Sequence, residues 1–426
     1  MTTPLPSPRH PVVARLRFDR HELAGAFGDV GTDLPLLMAL IATCGLDAAS
    51  VCIAFGVLQI ATGVVYGLPM PVQPLKAMAA IMLAQRLSAG TLAGGGLVIG
   101  VVMLLLAVSG GLDWLARVVP RAVVRGMQLG LGITLATLAL KQYAGSDGAS
   151  GYVIAGIATV VLILFRRQKR VPAPLVVMGL GALYAVAVKL DLTAFAGAHL
   201  QLHLPRLQVP TQHELWQGAV LLALPQIPLS LGNSVIATSQ TSYDLFPDRG
   251  VPVRKIGLTY GLLNLIAPWF GGVPVCHGCG GLVGFYGFGA RTGGAAVLYG
   301  AMYLVLGLVF SPWFSILTQS FPMPVLGVVL LFEAVALMTL IRDVANQPTA
   351  LWIALLVAAA VVGLPYGYVV GMVAGSAVAW AAQRGWIGVP ALDNPASQIG
   401  KSDESTRQSS PAIRPPSAEN TAERDG

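Results

Sequence analysis

Charge is what this 426-residue chain has least of. Asp, Glu, Lys and Arg make up 11% of it, where a soluble domain carries about 25%. So little charge excludes a water-soluble globule. Cysteine is scarce too: the four, at 44, 52, 276 and 279, lie in or beside apolar runs, and nothing resembles a disulfide framework. The start lacks a signal peptide's short apolar core and cleavage site, because residues 1–20 hold Pro4, Pro6, Pro8 and four arginines. The first span is therefore expected to target the chain. A net charge of +7 comes mostly from loop arginines, so nucleic acid is not an expected partner. What remains is apolar. Mean hydropathy is +0.72, and helix-length apolar runs recur from residue 22 to residue 382. This is the pattern of an all-α polytopic membrane protein, with the lipid bilayer as its first partner.

Fourteen spans are expected. Seven lie near 22–43, 47–66, 74–83, 91–109, 121–141, 151–165 and 173–189; seven more lie near 217–239, 254–271, 274–284, 293–310, 312–340 (with a break around Pro322 and Pro324), 349–363 and 365–382. A polar stretch at 191–215 connects two repeats, 21–190 and 216–385, and should be extracytoplasmic. Residues 1–20 form a cytoplasmic arm; residues 386–426, rich in Ser, Pro and charge, form a disordered cytoplasmic tail. Loop charges agree with this count. With both ends inside, the arginine clusters at 9–20, 117–125, 166–170 and 249–255 are cytoplasmic, and only Arg86, Lys141, Lys189 and Arg206 fall outside.

The most informative stretch is Leu68-Pro-Met-Pro-Val-Gln-Pro-Leu-Lys76. Prolines at 69, 71 and 74 forbid a continuous helix. A half-helix should begin at Pro74, at membrane depth, with its first N–H groups free. Such a start carries a positive dipole end that suits an anion. Lys76 in its first turn opposes the dipole, so something negative should sit between them; intramembrane charges mark function by default.

A second broken segment, Phe270-Gly-Gly-Val-Pro274-Val-Cys276-His277-Gly-Cys279-Gly280, follows about 205 residues later. Its glycines, Gly278 and Gly280 among them, let backbone N–H groups approach a ligand closely. Seven spans per half, an odd number, make the halves an inverted repeat, with the two half-helices (spans three and ten) meeting at the midplane. His277 could donate to an oxyanion or carry a coupling proton. Cys276 and Cys279 have CxxC spacing but no second ligand pair, so neither a metal nor a cofactor is expected.

Further polar groups lie in spans one and eight. Asp29 and Asp33 are four apart and share a helix face; one would balance Lys76 or take up a proton. Gln226 and Asn233 are neutral donors suited to an anion's oxygens, or to bonds between helices. Glu333 is expected at a domain interface rather than at the substrate.

Pro69-Met-Pro-Val-Gln-Pro-Leu-Lys76-Ala-Met-Ala-Ala80 and residues Phe270–Gly293 resemble the two signature motifs of the molybdate transporter family, a branch of the sulfate permease (SulP) superfamily. Gly28-Asp-Val-Gly-Thr-Asp-Leu-Pro35 and Leu224–Ala237 are similar to its first and eighth helices; the likeness spans about 20–385. It implies a 7+7 fold whose core spans (one to four, eight to eleven) move against gate spans, and uptake of an oxyanion, molybdate foremost and sulfate next. Sulfate permeases usually carry a STAS domain, which the tail is too short to form; this favours the molybdate branch.

On this reading a tetrahedral dianion binds between the helix starts, against backbone N–H groups at Leu75, Lys76, Gly278 and Cys279, with the side chains of Lys76, Gln73, Thr32 and Gln226 assisting. The protein is then not an enzyme but a secondary transporter working by alternating access, with Asp29 or His277 as proton carrier. A passive anion channel and a sulfate carrier are the alternatives, and a homodimer stays open.

Overall fold

The computed structural model describes residues 16–165 and 173–387. The first fifteen residues of the arm, the basic loop at 166–170 and the tail from 388 onward lie outside the described residues. The rest is almost wholly helical. In order come α1 (Arg20–Ala26), α2 (Val30–Cys44), α3 (Ala48–Tyr66), strand β1 (Gln73–Pro74), α4 (Lys76–Gln85), α5 (Ala89–Ser109), α6 (Gly111–Val118), α7 (Arg121–Leu138), α8 (Gly148–Phe165), α9 (Ala173–Tyr184) and α10 (Leu192–Gly197). Next, α11 (Gln212–Gln217), α12 (Leu224–Leu229) and α13 (Ala237–Leu245) are joined by π-helical turns into one long helix. Then follow α14 (Val253–Ile266), β2 (Val275–Cys276), α15 (Cys279–Gly287), α16 (Gly294–Leu308), α17 (Ser311–Ser320), α18 (Met323–Thr339), α19 (Pro348–Gly363) and α20 (Gly367–Gln383).

Among the described residues, six helical stretches are long and apolar enough to cross a membrane, or up to eight if each of two bent pairs is one span. Length alone therefore does not yield fourteen. The expected first span is broken, with α1 and α2 meeting at 41°. Its break falls at Phe27-Gly28-Asp29, where Gly28 lies against the Gly284 backbone so closely that a Cβ would collide. The twelfth span is divided where Pro322 and Pro324 suggest a break: α17 stands at 91° to α16, and α18 starts anew after Pro322, with Pro324 in its first turn.

Large apolar side chains face outward, among them Leu105, Val153, Ile163, Leu164 and Leu183. Water does not tolerate so much apolar surface; lipid does. Inside, α3 lies along α16 and α5 along α14. Small residues set these approaches, as membrane helices require: a Cβ on Gly56 would come within 2.6 Å of the Gly300 carbonyl. On the other side α7 packs on α18 and α19. Buried Glu22 ties the N-terminus in, accepting from the N–H groups of Arg291 (2.9 Å), Thr292 (2.9 Å) and Ala295 (3.0 Å) at the start of α16.

Candidate functional site

At membrane depth an irregular backbone must find partners, because lipid supplies none. The two proline-broken segments find each other. Strands β1 and β2 pair antiparallel, Gln73 opposite Cys276 and Pro74 opposite Val275, and the Leu75 N–H donates to the Pro274 carbonyl at 2.9 Å. Each segment is entered from a glycine in the left-handed region, Gly67 at φ 62° and Gly271 at φ 68°. Each is also held by an amide side chain of a neighbouring helix. Gln59 on α3 accepts from the Val72 N–H at 2.7 Å. Asn264 on α14 donates to the Val275 carbonyl at 2.6 Å and accepts from its N–H at 2.8 Å.

Helices α4 and α15 spring from this crossing, and both begin slightly later than the sequence suggests. Pro74 belongs to β1, paired opposite Val275, rather than opening a helix; Leu75 is the cap and Lys76 the first helical residue. Pro74 has no N–H to offer, and that of Leu75 is taken by the Pro274 carbonyl. The N–H groups of Ala77 and Met78 are capped by Gln226 Oε1 at 3.1 and 3.2 Å. Gln226 Nε2 donates to Ser230 Oγ at 3.0 Å, and Ser230 contacts the Tyr260 hydroxyl at 2.7 Å. The amide expected to face an anion is thus spent on a helix end. Helix α15 differs: among the described residues no side chain of another element accepts from Cys279, Gly280 or Gly281. A Cβ on Gly278 would displace the Gln73 amide, whereas one on Gly280 would meet nothing within 4 Å.

A cavity of about 250 Å³ opens in front of both starts, and Gln73, Lys76, Gln226, Asn233, Gly278, Cys279 and Gly280 all line it. So does Glu333 of α18, whose carboxylate takes Lys76 Nζ at 2.6 Å. Both side chains stay partly open, at 33% and 25% exposure. The negative partner of Lys76 is therefore Glu333 and not Asp29, because Asp29 is held by Gln73 Nε2 at 2.6 and 2.9 Å. Thr32 Oγ1 donates to Glu333 Oε1 at 3.4 Å from an adjoining crevice. Asp33 is fully buried against Tyr299, 3.4 Å away.

His277 stands outside the cavity. Its Nδ1 meets the Pro71 carbonyl at 3.0 Å, its Nε2 meets Thr259 Oγ1 at 2.8 Å, and its own carbonyl accepts from Thr238 at 2.7 Å. A carbonyl only accepts, so Nδ1 carries the proton. The ring brackets the broken segment to α14. Cys276 and Cys279 are free thiols. Among the cavity residues that the sequence did not assign to the substrate are Glu333, the lone acid in the apolar run 323–339 and expected at a domain interface, Gln128, one helical turn after Arg125 in α7, and Ser234, next to Asn233.

A family model described as "Molybdate transporter of MFS superfamily" matches residues 21–135 and 218–337. The chain belongs to this molybdate transporter family. It is 31% identical over 376 residues to Molybdate transporter 1 of Arabidopsis thaliana, covering 77% of this chain and 81% of that one. Its fold is similar to the transmembrane domain of a cyanobacterium bicarbonate transporter, BicA, with a TM-score of 0.59 at 18% identity over 84% of this chain and 97% of that one. It is also similar to a murine Solute Carrier 26 family member A9 anion transporter, with a TM-score of 0.65 at 14% identity over 89% and 71%. The resemblance drawn from the two proline-broken motifs therefore holds, and with it a multi-pass transporter rather than an enzyme. In this member of the molybdate transporter family both signature motifs converge on one cavity wall.

Proposed function

We propose that this protein takes up a tetrahedral oxyanion, molybdate foremost, by alternating access at the cavity between α4 and α15. One observation carries the reading: the uncapped N-terminus of α15 faces the same enclosed space as Lys76. Backbone N–H groups at Cys279 and Gly280 and the ammonium of Lys76 are what an oxyanion needs once water is removed.

The 7+7 inverted repeat is proposed with it. Reciprocal packing supports this arrangement: the second span (α3) lies on the eleventh (α16), and the fourth (α5) on the ninth (α14). Gln59 and Asn264 also occupy corresponding places beside the two broken segments. Helices α1–α5 and α11–α16 would then form the core that rocks against α7–α9 and α18–α20, with both termini cytoplasmic.

Glu333 gives the cycle a switch. It holds Lys76, so a dianion must displace it or arrive with a proton that neutralises it. Carrying a dianion inward against a negative-inside potential costs about 2.3 kcal/mol per charge per 100 mV, and cotransported protons offset that. Glu333 and Asp29 are the proton carriers this geometry favours; His277 is committed to bracing.

The test is labelled molybdate uptake into proteoliposomes with and without a proton gradient, competed by sulfate, tungstate and uracil. Uptake above electrochemical equilibrium, blocked by oxyanions and abolished by Lys76→Met, is expected. Full uptake by the Lys76→Met protein sinks the assignment. Uptake that never exceeds equilibrium makes the protein a passive channel.

A further inference from the structure

Gln128 is a buried donor that the protein leaves without work. It sits on α7, 1% exposed, in the wall of the same cavity as Lys76, Asn233, Gly280 and Glu333. One turn earlier, Arg125 Nη1 donates to Gln128 Oε1 at 2.8 Å. A guanidinium has only donors. The amide is therefore fixed in one orientation, with its oxygen toward Arg125 and its nitrogen turned away. That nitrogen has no hydrogen-bond partner among the described residues. An amide N–H2 buried this way loses its hydration and gets nothing back from the protein.

The clamp behind it is well built. Arg125 also grips Asp343, just beyond α18, and Arg121 Nη2 shares that carboxylate at 3.0 Å. Behind the partition lies a second cavity of about 340 Å³, lined by Arg121, Arg125 and Asn233. Asn233 belongs to the walls of both cavities. Arg125 lines the arginine-rich space and Gln128 lines the inner cavity, so the hydrogen-bonded pair spans from one to the other, and the amide nitrogen is the end of Gln128 that Arg125 does not hold.

We propose that Gln128 Nε2 donates to a substrate oxygen and so sets how tightly the oxyanion is held, with Arg125 as its positioning residue. This rests on the reading of the inner cavity as the oxyanion site. It adds a contact from α7 to those from α4 and α15, so a bound anion bridges the two groups of helices whose relative motion transport requires.

Two substitutions separate contact from packing. Gln128→Glu keeps an oxygen for Arg125 but puts a carboxylate where the donor was. Gln128→Met fills the volume and removes the orphaned donor. Both are compared with Lys76→Met in proteoliposome uptake of labelled molybdate, after thermal unfolding and size-exclusion profiles in detergent are recorded. The expected result for Gln128→Met is a KM for molybdate raised about tenfold or more, the loss of one hydrogen bond to a charged group. Its Vmax should stay within about twofold, and its thermal midpoint should fall only modestly, because losing the orphaned donor offsets part of the acceptor taken from Arg125 Nη1. Gln128→Glu should raise KM further. A wild-type KM in both variants, while Lys76→Met abolishes uptake, overturns the Gln128 contact alone. A Gln128→Met protein that loses uptake and thermal stability together, while Gln128→Glu keeps a wild-type KM, also overturns it, making the residue a strut. Wild-type uptake in Lys76→Met overturns the site itself.

Discussion

The beginnings of α4 and α15 are built from related pieces and finished differently. Each follows a glycine in the left-handed region, a proline-broken stretch and a two-residue strand, and each strand is the other's partner. Yet α4 carries a lysine in its first turn and has its next two N–H groups capped by Gln226. Helix α15 carries glycines there and, among the described residues, has no cap from another element. One start supplies a full charge that Glu333 keeps occupied; the other supplies open backbone donors. The lesson is that an inverted pair of half-helices need not present two equal dipoles. Here one end brings a side chain and the other brings bare peptide, and an oxyanion can use both.

That contrast can be broken in order of effect. Lys76→Met should be the largest, lowering molybdate uptake by about a hundredfold or more, because it also strands Glu333 as an unpaired charge. Adding Glu333→Gln should restore the thermal midpoint but not transport; recovered uptake would mean the lysine only neutralised its neighbour. Gly280→Ala comes next. A methyl there meets no protein atom within 4 Å, so the protein should be about as stable. The methyl still occupies cavity space beside the free N–H groups, and uptake should fall about tenfold; unchanged KM and Vmax would show that α15 is not where the anion sits.

Gln226→Met should act mainly on stability. It removes the acceptor for Ala77 and Met78, worth about 1–2 kcal/mol, visible as a lower unfolding temperature in detergent with a KM change of about threefold or less. A larger KM change than Gly280→Ala gives would reverse the ranking of the two starts. Smallest for transport are the amides on the flanking helices. Asn264→Leu should cost about 2–3 kcal/mol and Gln59→Leu about 1, because Asn264 serves both the N–H and the carbonyl of Val275 while Gln59 serves one group of Val72. Equal losses would remove that difference between the halves.

Much of this was legible in order along the chain. Prolines 69, 71 and 74 announce a break because each lacks an N–H, and the recurrence of Gly-x-Pro at 272–274 announces its counterpart. Lys76, Gly278, Cys279 and Gly280 could be named as cavity residues from that alone. His277 and Gln226 show the limit. A polar side chain in a span reads as a ligand donor, but whether its hydrogen bonds face a cavity or a neighbouring backbone depends on residues such as Pro71 and Ala77 that approach only in the folded protein. Glu333 was expected at a domain interface and Gln128 was passed over for the converse reason: a single polar residue in an apolar helix gives no sign of which side it faces.

The chain's chemistry, read alone, determined a membrane protein, two interrupted helices and a cation beside one of them, because charge scarcity, proline geometry and hydropathy are local properties. Three-dimensional packing decided who holds whom. That Lys76 belongs to Glu333, Asp29 to Gln73 and the first N–H groups of α4 to Gln226 follows from contacts across 257, 44 and about 149 residues of sequence. Hydrogen bonds are short-ranged and directional, so partners that far apart are chosen by how the helices stack, and no local pattern encodes them.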